Sequence, residues 1–264
     1  MRRAILFGFV FVMAVVLSAC SQEKTTQGQG AVERHGVFEV KIIDDGKAVE
    51  IVRYVGKRKD VRIPPTIQNL PVTVIGDWAF SSNQLTNVTI APSVTAIKKK
   101  AFAYNSLTSV TIPDGVTFIG ERAFYKNGLT NVTIPNSVTF IGKCAFDTNK
   151  LTSIIIPDSV TSVGTWAFAK NQLASVTIPD GVTFIGYGAF YDNRLTSVVI
   201  PHTVASIGGT AFRRNHLISV TIGFNVKLGG MVLPAFDDDF DKYYKRNGHR
   251  KGAYAYRNRQ WNTQ

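Results

Sequence analysis

Cysteine is almost absent from these 264 residues, with only Cys20 and Cys144 present. A disulfide framework is thereby excluded as the main source of stability, which must come from packing. Histidine is nearly as scarce: His35, His202, His216 and His249 stand in different regions, none with a cysteine or carboxylate at metal-ligand spacing. No G-x-S-x-G elbow, phosphate loop or recurring carboxylate pair occurs. Catalysis, a resident metal and a cofactor are therefore not expected, and a hydrolase hidden in the C-terminal tail is the weakest reading. Acidic residues are outnumbered, 18 against 30 Lys and Arg, for a formal charge of +12. The excess is spread out, with +2 in residues 1–20, +2 in 21–74, +4 in 75–222 and +4 in 223–264. Such a surface attracts acidic polysaccharide, anionic lipid head groups or acidic proteins at long range.

A comfortable membrane span is also missing. The uncharged run Ala4–Leu17 follows Arg2 and Arg3 and is too short, but it has the layout of a secretory signal. It ends Leu17-Ser18-Ala19-Cys20, which resembles the lipobox of bacterial lipoproteins. That resemblance implies a signal peptide over 1–19 and fatty acyl chains, palmitate among them, on Cys20 as the new N-terminus. Several acyl chains hold a protein to a membrane far more firmly than one. Residues 20–36 then read as a flexible tether, polar and Gly/Gln-rich from Ser21 to Gly30. Nucleic acid is not an expected partner for an exported chain. With Cys20 acylated, Cys144 has no partner. Its place in the repeat is filled elsewhere by Trp78, Arg122, Trp166, Gly188 and Thr210, a variability that reads as an outer position with a solvated thiol.

What the sequence has in abundance is period. Ala-Phe pairs recur every 22 residues, with Phe at 80, 102, 124, 146, 168, 190 and 212. Self-similarity at this length marks a solenoid, in which stacked copies complete one another's burial. Each copy approximates I-G-x-x-A-F-x-x-N-x-L-T-S-V-T-I-P-x-x-V-T-x. In the copy Ile185–Ser206, alternation places Val198 and Ile200 inward and Val199 outward, and Pro201 ends the ladder. A second short extended piece follows, with Val204 and Ile207 inward, and Gly208 allows the next turn. The Ala-Phe pair plugs the far side of the coil. Asn recurs at 83, 105, 127, 149, 171, 193 and 215, and reads as an internal ladder serving buried backbone groups rather than a ligand row.

The I-G-x-x-A-F core, as in Ile119-Gly120 with Ala123-Phe124, and the strand ending Ile112-Pro113 resemble the BspA-like (Treponema-type) leucine-rich repeats. The resemblance runs from about Phe38 to Gly223. It implies a β-rich, right-handed leucine-rich repeat solenoid of 22-residue coils, with a parallel sheet on one face and divergent caps. It also implies surface or secreted adhesins and protein-interaction modules, without naming a receptor. Residues 37–74 read as N-terminal cap and first divergent coil, 75–230 as the solenoid, and 231–264 as the C-terminal cap. Lys98 stands where Gly is expected, so Lys98-Lys99-Lys100 reads as a distorted turn and a local basic spot. In the tail, Asp237–Arg246 has acids first and bases last, matching a helix dipole, with Phe240, Tyr243 and Tyr244 on its apolar side. Gly252–Tyr256 alternates small and aromatic residues like a terminal strand. Asp237, Asp238, Asp239 and Asp241 lack the Gly-turned loop of a cation site.

Two outward rows are the candidates for partner binding. Thr86, Thr89, Thr108, Thr111, Thr130, Thr133, Thr196 and Thr221 lie on the first strand, as small β-prone residues suited to an exposed sheet. Ile155, Ala174, Val199 and Ile218 interrupt them, which counts against an ice- or crystal-lattice binder. On the second extended piece, Phe118, Phe140 and Phe184 occupy a place where Ser suffices in other copies: rings exposed there are interface anchors, and the alternative is rings bent over a neighbouring turn and half buried. Arg194, Arg213, Arg214 and His216 form a further basic patch. The expected protein is thus a monomeric, lipid-anchored solenoid on the outer face of a bacterial envelope. Its ligands are proteins or glycans, extracellular-matrix proteins among them. The alternative is a periplasm-facing scaffold for envelope partners.

Overall fold

The computed structural model describes residues 31–229, 236, 240–257 and 260–264. The segment expected to be a signal peptide, Cys20, the expected tether up to Gly30 and Asp237, Asp238 and Asp239 lie outside the described residues. Residues 32–35, read above as the end of the tether, form a strand instead. Val32–His35 pairs antiparallel with Phe38–Ile43 across a turn in which Gly36 has φ +58°. Phe38–Ile43 pairs antiparallel with Ala48–Tyr54, and Ala48–Tyr54 passes the ladder in parallel to Leu70–Ile75. From there the chain winds into a β-solenoid of about 8 coils of ~22 residues.

Each coil has two short strands and a turn side. The unbroken ladder follows the second, shorter strand, not the longer-looking L-T-S-V-T-I segment. Ala96–Ile97, Phe118–Ile119, Phe140–Ile141, Ser162–Val163, Phe184–Ile185, Ser206–Ile207 and Lys227–Leu228 pair in parallel, and they join the N-terminal strands in one 12-stranded sheet. The first strands pair only in groups: Asp60–Arg62 with Asn87–Thr89, Ser109–Thr111 with Asn131–Thr133, and Ser197–Val199 with Ser219–Ile222. Between the last two groups a lone bridge, Ile155 to Thr177, carries the pairing. The alternation expected from sequence holds: Val198 and Ile200 are buried and Val199 is exposed.

The seven Ala-Phe rings form a stacked spine. Neighbouring rings from Phe80 to Phe212 lie 5.1–5.6 Å apart, and all seven are fully buried. Offset stacking of this kind adds to simple area burial. The spine is closed at one end by Tyr54 and Phe38, 5.5 and 6.2 Å from the Phe80 ring, and at the other by Phe236 on Phe212 at 5.0 Å. Glycine sets the coil spacing: a Cβ on Gly120 or Gly142 would lie 2.6 Å from the backbone of the preceding coil. A side chain added there meets backbone at less than van der Waals distance, so the neighbouring coil would have to give.

The turn side has its own ladder. Phe102 N–H donates to the Ala123 carbonyl, and Phe124 N–H to that of Ala145, each 2.8 Å away in the next coil. Two residues per coil take positive φ to turn their N–H groups the same way: Trp78, Lys100, Arg122, Cys144, Trp166, Gly188 and Thr210 at one place, and Ser82, Tyr104, Lys126, Thr148, Lys170, Asp192 and Arg214 at the other. A left-handed residue other than glycine costs about 1–2 kcal/mol. The cross-coil bond that results, such as Lys126 N–H to the Asp147 carbonyl at 3.0 Å, offsets that cost.

The Asn row is internal. Asn171 accepts from Leu151 N–H at 3.0 Å and donates to the carbonyls of Phe146 and Phe168 at 2.9 and 3.1 Å. Asn193 repeats the pattern with Leu173, Phe168 and Phe190. From Asn105 to Asn215 each amide ties two coils together through backbone groups, while the Asn83 amide donates within its own coil to the Ser81 carbonyl. At the C-terminal end, helix Phe240–Arg246 has Asp241 in its first turn and Lys245 and Arg246 in its last. Phe240 packs on Trp261 at 4.8 Å, and Gly252–Arg257 pairs antiparallel with Ser219–Ile222, covering the edge the last coil would expose.

Candidate functional site

Three faces of the stack carry distinct chemistry. The 12-stranded sheet carries the phenylalanine row: Phe118, Phe140 and Phe184 are 39%, 41% and 43% exposed, while Ile119, Ile141 and Ile185 beside them are fully buried. Phe118 and Phe140 are direct ladder partners, and their rings stack at 5.5 Å with a 6° interplanar angle. Phe184 lies one coil beyond Ser162, which pairs with it. Two adjoining rings, a one-coil notch and a third ring thus form an apolar ledge about 14 Å from first ring to last at the strand spacing of a sheet. Thr117, Thr139 and Thr183 stand exposed beside it. Rings that already stack on one another, as Phe118 and Phe140 do, lose little side-chain freedom on binding.

The first-strand face is polar and less regular. Thr86, Thr89, Thr108, Thr111, Thr130, Thr133 and Thr196 are exposed. Thr221 is half-buried, because its strand pairs with Gly252–Arg257 and Thr221 sits opposite Ala253. Ile155 and Val199 occupy the place of Thr111 in their coils and are 79% and 61% exposed. A groove of about 460 Å³ runs between Asn87–Thr89 and Ser109–Thr111 and reaches Pro92 and Pro113. The breaks in this ladder leave the Thr rows without the unbroken lattice that a crystal-face binder needs.

The turn face was read from sequence only as a basic patch at Arg194, Arg213, Arg214 and His216. The structure adds aromatic rings and extends the patch over several coils. Trp166 lies edge-on to Tyr187 and Tyr191, at 5.3 and 5.1 Å. Arg214 sits over the Tyr191 ring at 5.5 Å, and Lys126 over Tyr104 and Tyr125 at 5.7 and 5.5 Å. A cleft of about 500 Å³ opens among Arg122, Lys143, Trp166, Lys170, Tyr191 and Arg214. Cys144 and Asp147 also line it, and burial pushes the Asp147 carboxyl above its ordinary value. The sequence signal for this face was present but scattered, since its aromatic and basic residues come from different places in the repeat.

Two expectations fail here. Cys144 is not a solvated thiol: it is buried, at 5% exposure, and burial followed by the Asp147 charge raises its pKa. Its place varies in sequence because the left-handed backbone directs each side chain along the turn surface, where neighbours cover small ones. Lys98-Lys99-Lys100 does not distort its turn. Lys98 N–H reaches the Ile75 carbonyl at 2.9 Å, as Gly120 N–H reaches that of Ile97 at 2.8 Å. The three charges are also engaged. Lys98 bonds both Glu50 oxygens at 2.9 Å, Lys99 pairs with Glu121 at 3.2 Å, and Lys100 stands over Trp78 at 3.6 Å. At this place, where other coils have glycine, the lysine stem runs to a carboxylate on the N-terminal cap.

Among the described residues no group of three or more His, Cys, Asp or Glu side chains is placed to hold a metal ion, and Asp241 turns its carboxylate to Phe236 N–H at 3.0 Å. No helix among the described residues is long and apolar enough to cross a membrane.

Comparison with known proteins converges on one family. The model of the BspA type leucine rich repeat region matches residues 60–150 and 117–230, in six copies. Among solved structures, a leucine rich cell surface protein from Faecalibacterium prausnitzii A2-165 is 32% identical, with a TM-score of 0.66 over 74% of this chain. The chain spans 55% of that protein's length. The Treponema pallidum leucine rich repeat protein (24% identity, TM-score 0.53, 82% of this chain and 95% of that one) shares the fold. So does the pneumococcal vaccine antigen PcpA (17%, TM-score 0.51, 76% and 66%). No curated protein matches the sequence. With the repeat model covering most of the chain in register with the observed coils, this protein belongs to the BspA type leucine-rich repeat family.

Proposed function

We propose that this chain is a binding protein of the bacterial cell surface, held to the membrane through acylated Cys20. In this reading it captures protein or glycan ligands as an adhesin for host or neighbouring-cell components. The observation that carries the proposal is the phenylalanine ledge. A soluble repeat frame needs only Ser or Ala at that place, as Ala96, Ser162 and Ser206 demonstrate, yet three copies keep large rings about two-fifths exposed. Aromatic groups on a rigid ladder are what an interface centre requires. The neighbouring Thr-rich faces supply polar rim. The related F. prausnitzii protein is described as a cell surface protein, which supports the location. A scaffold role follows from the frame, whose repeated positions are apolar or small polar, rather than from any reactive group.

Capture of host-matrix proteins by the mature chain, compared with a Phe118→Ser/Phe140→Ser/Phe184→Ser variant, tests the ledge. Each substitution installs a residue the repeat already uses there, so the fold stays intact while capture falls. Unchanged capture rejects the ledge. Protease treatment of intact cells tests the location: degradation supports the outer surface, and protection until the envelope is opened moves the protein to the periplasm as a scaffold.

A further inference from the structure

The turn face has a property that neither the repeat frame nor the phenylalanine ledge uses. Lys126, Lys170 and Arg214 occupy the same place in alternate coils, all left-handed (φ +51°, +52° and +58°) and all exposed. Equivalent residues of neighbouring coils are about 4.8 Å apart, so these three cations recur at about 10 Å. The coils between them carry Thr148 and Asp192 at that place. The cleft beside the row adds Lys143 and Arg122, the latter paired with Glu121, and Asp147 is the one acid in its lining. Its walls include the partly exposed rings of Trp166 and Tyr191, 5.1 Å apart and edge to face. Cations alone would describe any basic surface. Cations at a fixed repeat beside aromatic rings describe a surface for a polymer that carries charge and flat apolar faces together.

We propose that the turn face binds an extended anionic polysaccharide, with carboxylate or sulfate groups on alternate sugars meeting Lys126, Lys170 and Arg214 and a sugar ring resting against Trp166 and Tyr191. The spacing of the three cations is close to that of alternate residues in an extended chain, so one straight polymer engages all three without bending. Sugar C–H faces pack on aromatic rings, while the anions are drawn in by the net positive cleft. A neutral glucan lacks the charge. A polyglutamate chain lacks the rings, and a lipid head group presents its anion without the repeat. The site stands apart from the ledge, which lies on the sheet and not on the turns.

The test is titration of the mature chain with polygalacturonate, heparin, neutral dextran, polyglutamate and phosphatidylglycerol vesicles over a salt series. Polygalacturonate or heparin is expected to bind at low salt and weaken steeply as salt rises, because a polyanion releases counterions on binding. The Lys126→Thr/Lys170→Thr/Arg214→Thr variant takes the residue Thr148 already supplies at that place, so it folds, and it should bind roughly tenfold or more weakly. Asp147→Asn should tighten binding, a second readout that does not remove a cation. The ledge variant should bind the polysaccharide as the parent does, even if protein capture is lost. Absence of binding to both anionic polysaccharides overturns the proposal, as does unchanged affinity in the triple variant. Equal affinity for dextran or polyglutamate refutes the polysaccharide assignment, and preferential binding to the vesicles through the same three residues reassigns the face to lipid head groups.

Discussion

Replacing Asn171 by Ala should cost more stability than its polar side chain suggests. The amide is 7% exposed and caps Leu151 N–H, while it shares the carbonyls of Phe146 and Phe168 with Asn149 and Asn193. Leaving a buried donor unmade costs about 1–3 kcal/mol, and that is the loss expected from the orphaned Leu151 N–H. An exposed control, Asn87→Ala, removes one bond to Asp60 at 3.0 Å and should lie within about 0.5 kcal/mol of the parent. Repeat arrays need not unfold in one step, so midpoints alone are ambiguous. Exchange of the Leu151 amide proton, the one Asn171 caps, gives the local reading and should quicken far more than amides several coils away. Asn171→Asp sharpens the test. Its carboxylate keeps the acceptor for Leu151 but sets a second oxygen against two carbonyls, so its folded pKa lies above the unfolded one. Protonated, it regains a donor. This variant should therefore be least stable at neutral pH and recover as pH falls. Asn171→Ala within about 0.5 kcal/mol of the parent, with Leu151 exchange unchanged, would refute the ladder as a stabilising device.

Other outcomes follow from the same geometry. Burial raises the Asp147 pKa above its ordinary 3.8, so the ionised form is the disfavoured one in the folded protein. Stability is then lost as pH rises through the folded value, and Asp147→Asn should raise the melting temperature at pH 7 with the gain vanishing below the unfolded value of 3.8. In a Cys20→Ser background, Cys144 should react slowly with maleimide at neutral pH and quickly once unfolded, because the thiolate is disfavoured by burial. Prompt native labelling would contradict that placement. The Tyr244 hydroxyl, fully buried, lies 2.6 Å from the Gly223 carbonyl and accepts from Val226 N–H at 3.3 Å. Tyr244→Phe should cost about 1–3 kcal/mol in urea unfolding, concentrated in the last coil.

Much of the frame was legible because it is written once per coil. Phe80 through Phe212 announced the filling of the coil interior and the Asn row an internal ladder, each from residue type plus period, whereas the glycines read as turn residues and their close approach to the preceding coil appears only in the stack. The C-terminal cap was partly readable: Phe240, Tyr243 and Tyr244 sit on a helix. What escaped depends on neighbours in the stack rather than in the chain. A two-residue strand such as Phe118–Ile119 has no alternation to read, so its role as the continuous ladder appears only when coils are superposed. Left-handed positions without glycine, such as Trp166 and Lys170, carry no local signal, since the cross-coil hydrogen bond is what holds them. Lys98 looked like a defect for the same reason: its partner Glu50 lies 48 residues away.

That division bears on where binding can evolve in such a fold. Positions that serve the stack are fixed by the coil before and the coil after, so Ala123, Phe124 or Asn127 cannot change alone without a cost spread over three coils. Positions whose side chains leave the stack are free. They come in rows by construction, because the backbone repeats. Any ring or charge favoured in one coil is therefore placed about 4.8 Å from its equivalent in the next, and two or three substitutions suffice to make an ordered array. The Phe118, Phe140 and Phe184 row and the Lys126, Lys170 and Arg214 row are two such arrays on different sides of one frame. The first is apolar and flush with a sheet, the second cationic and bordered by aromatics. A single partner touching both would have to wrap the coil; two partners of unlike chemistry need only approach from different sides. The separation makes independent loss of the two activities the expected result of mutating either row.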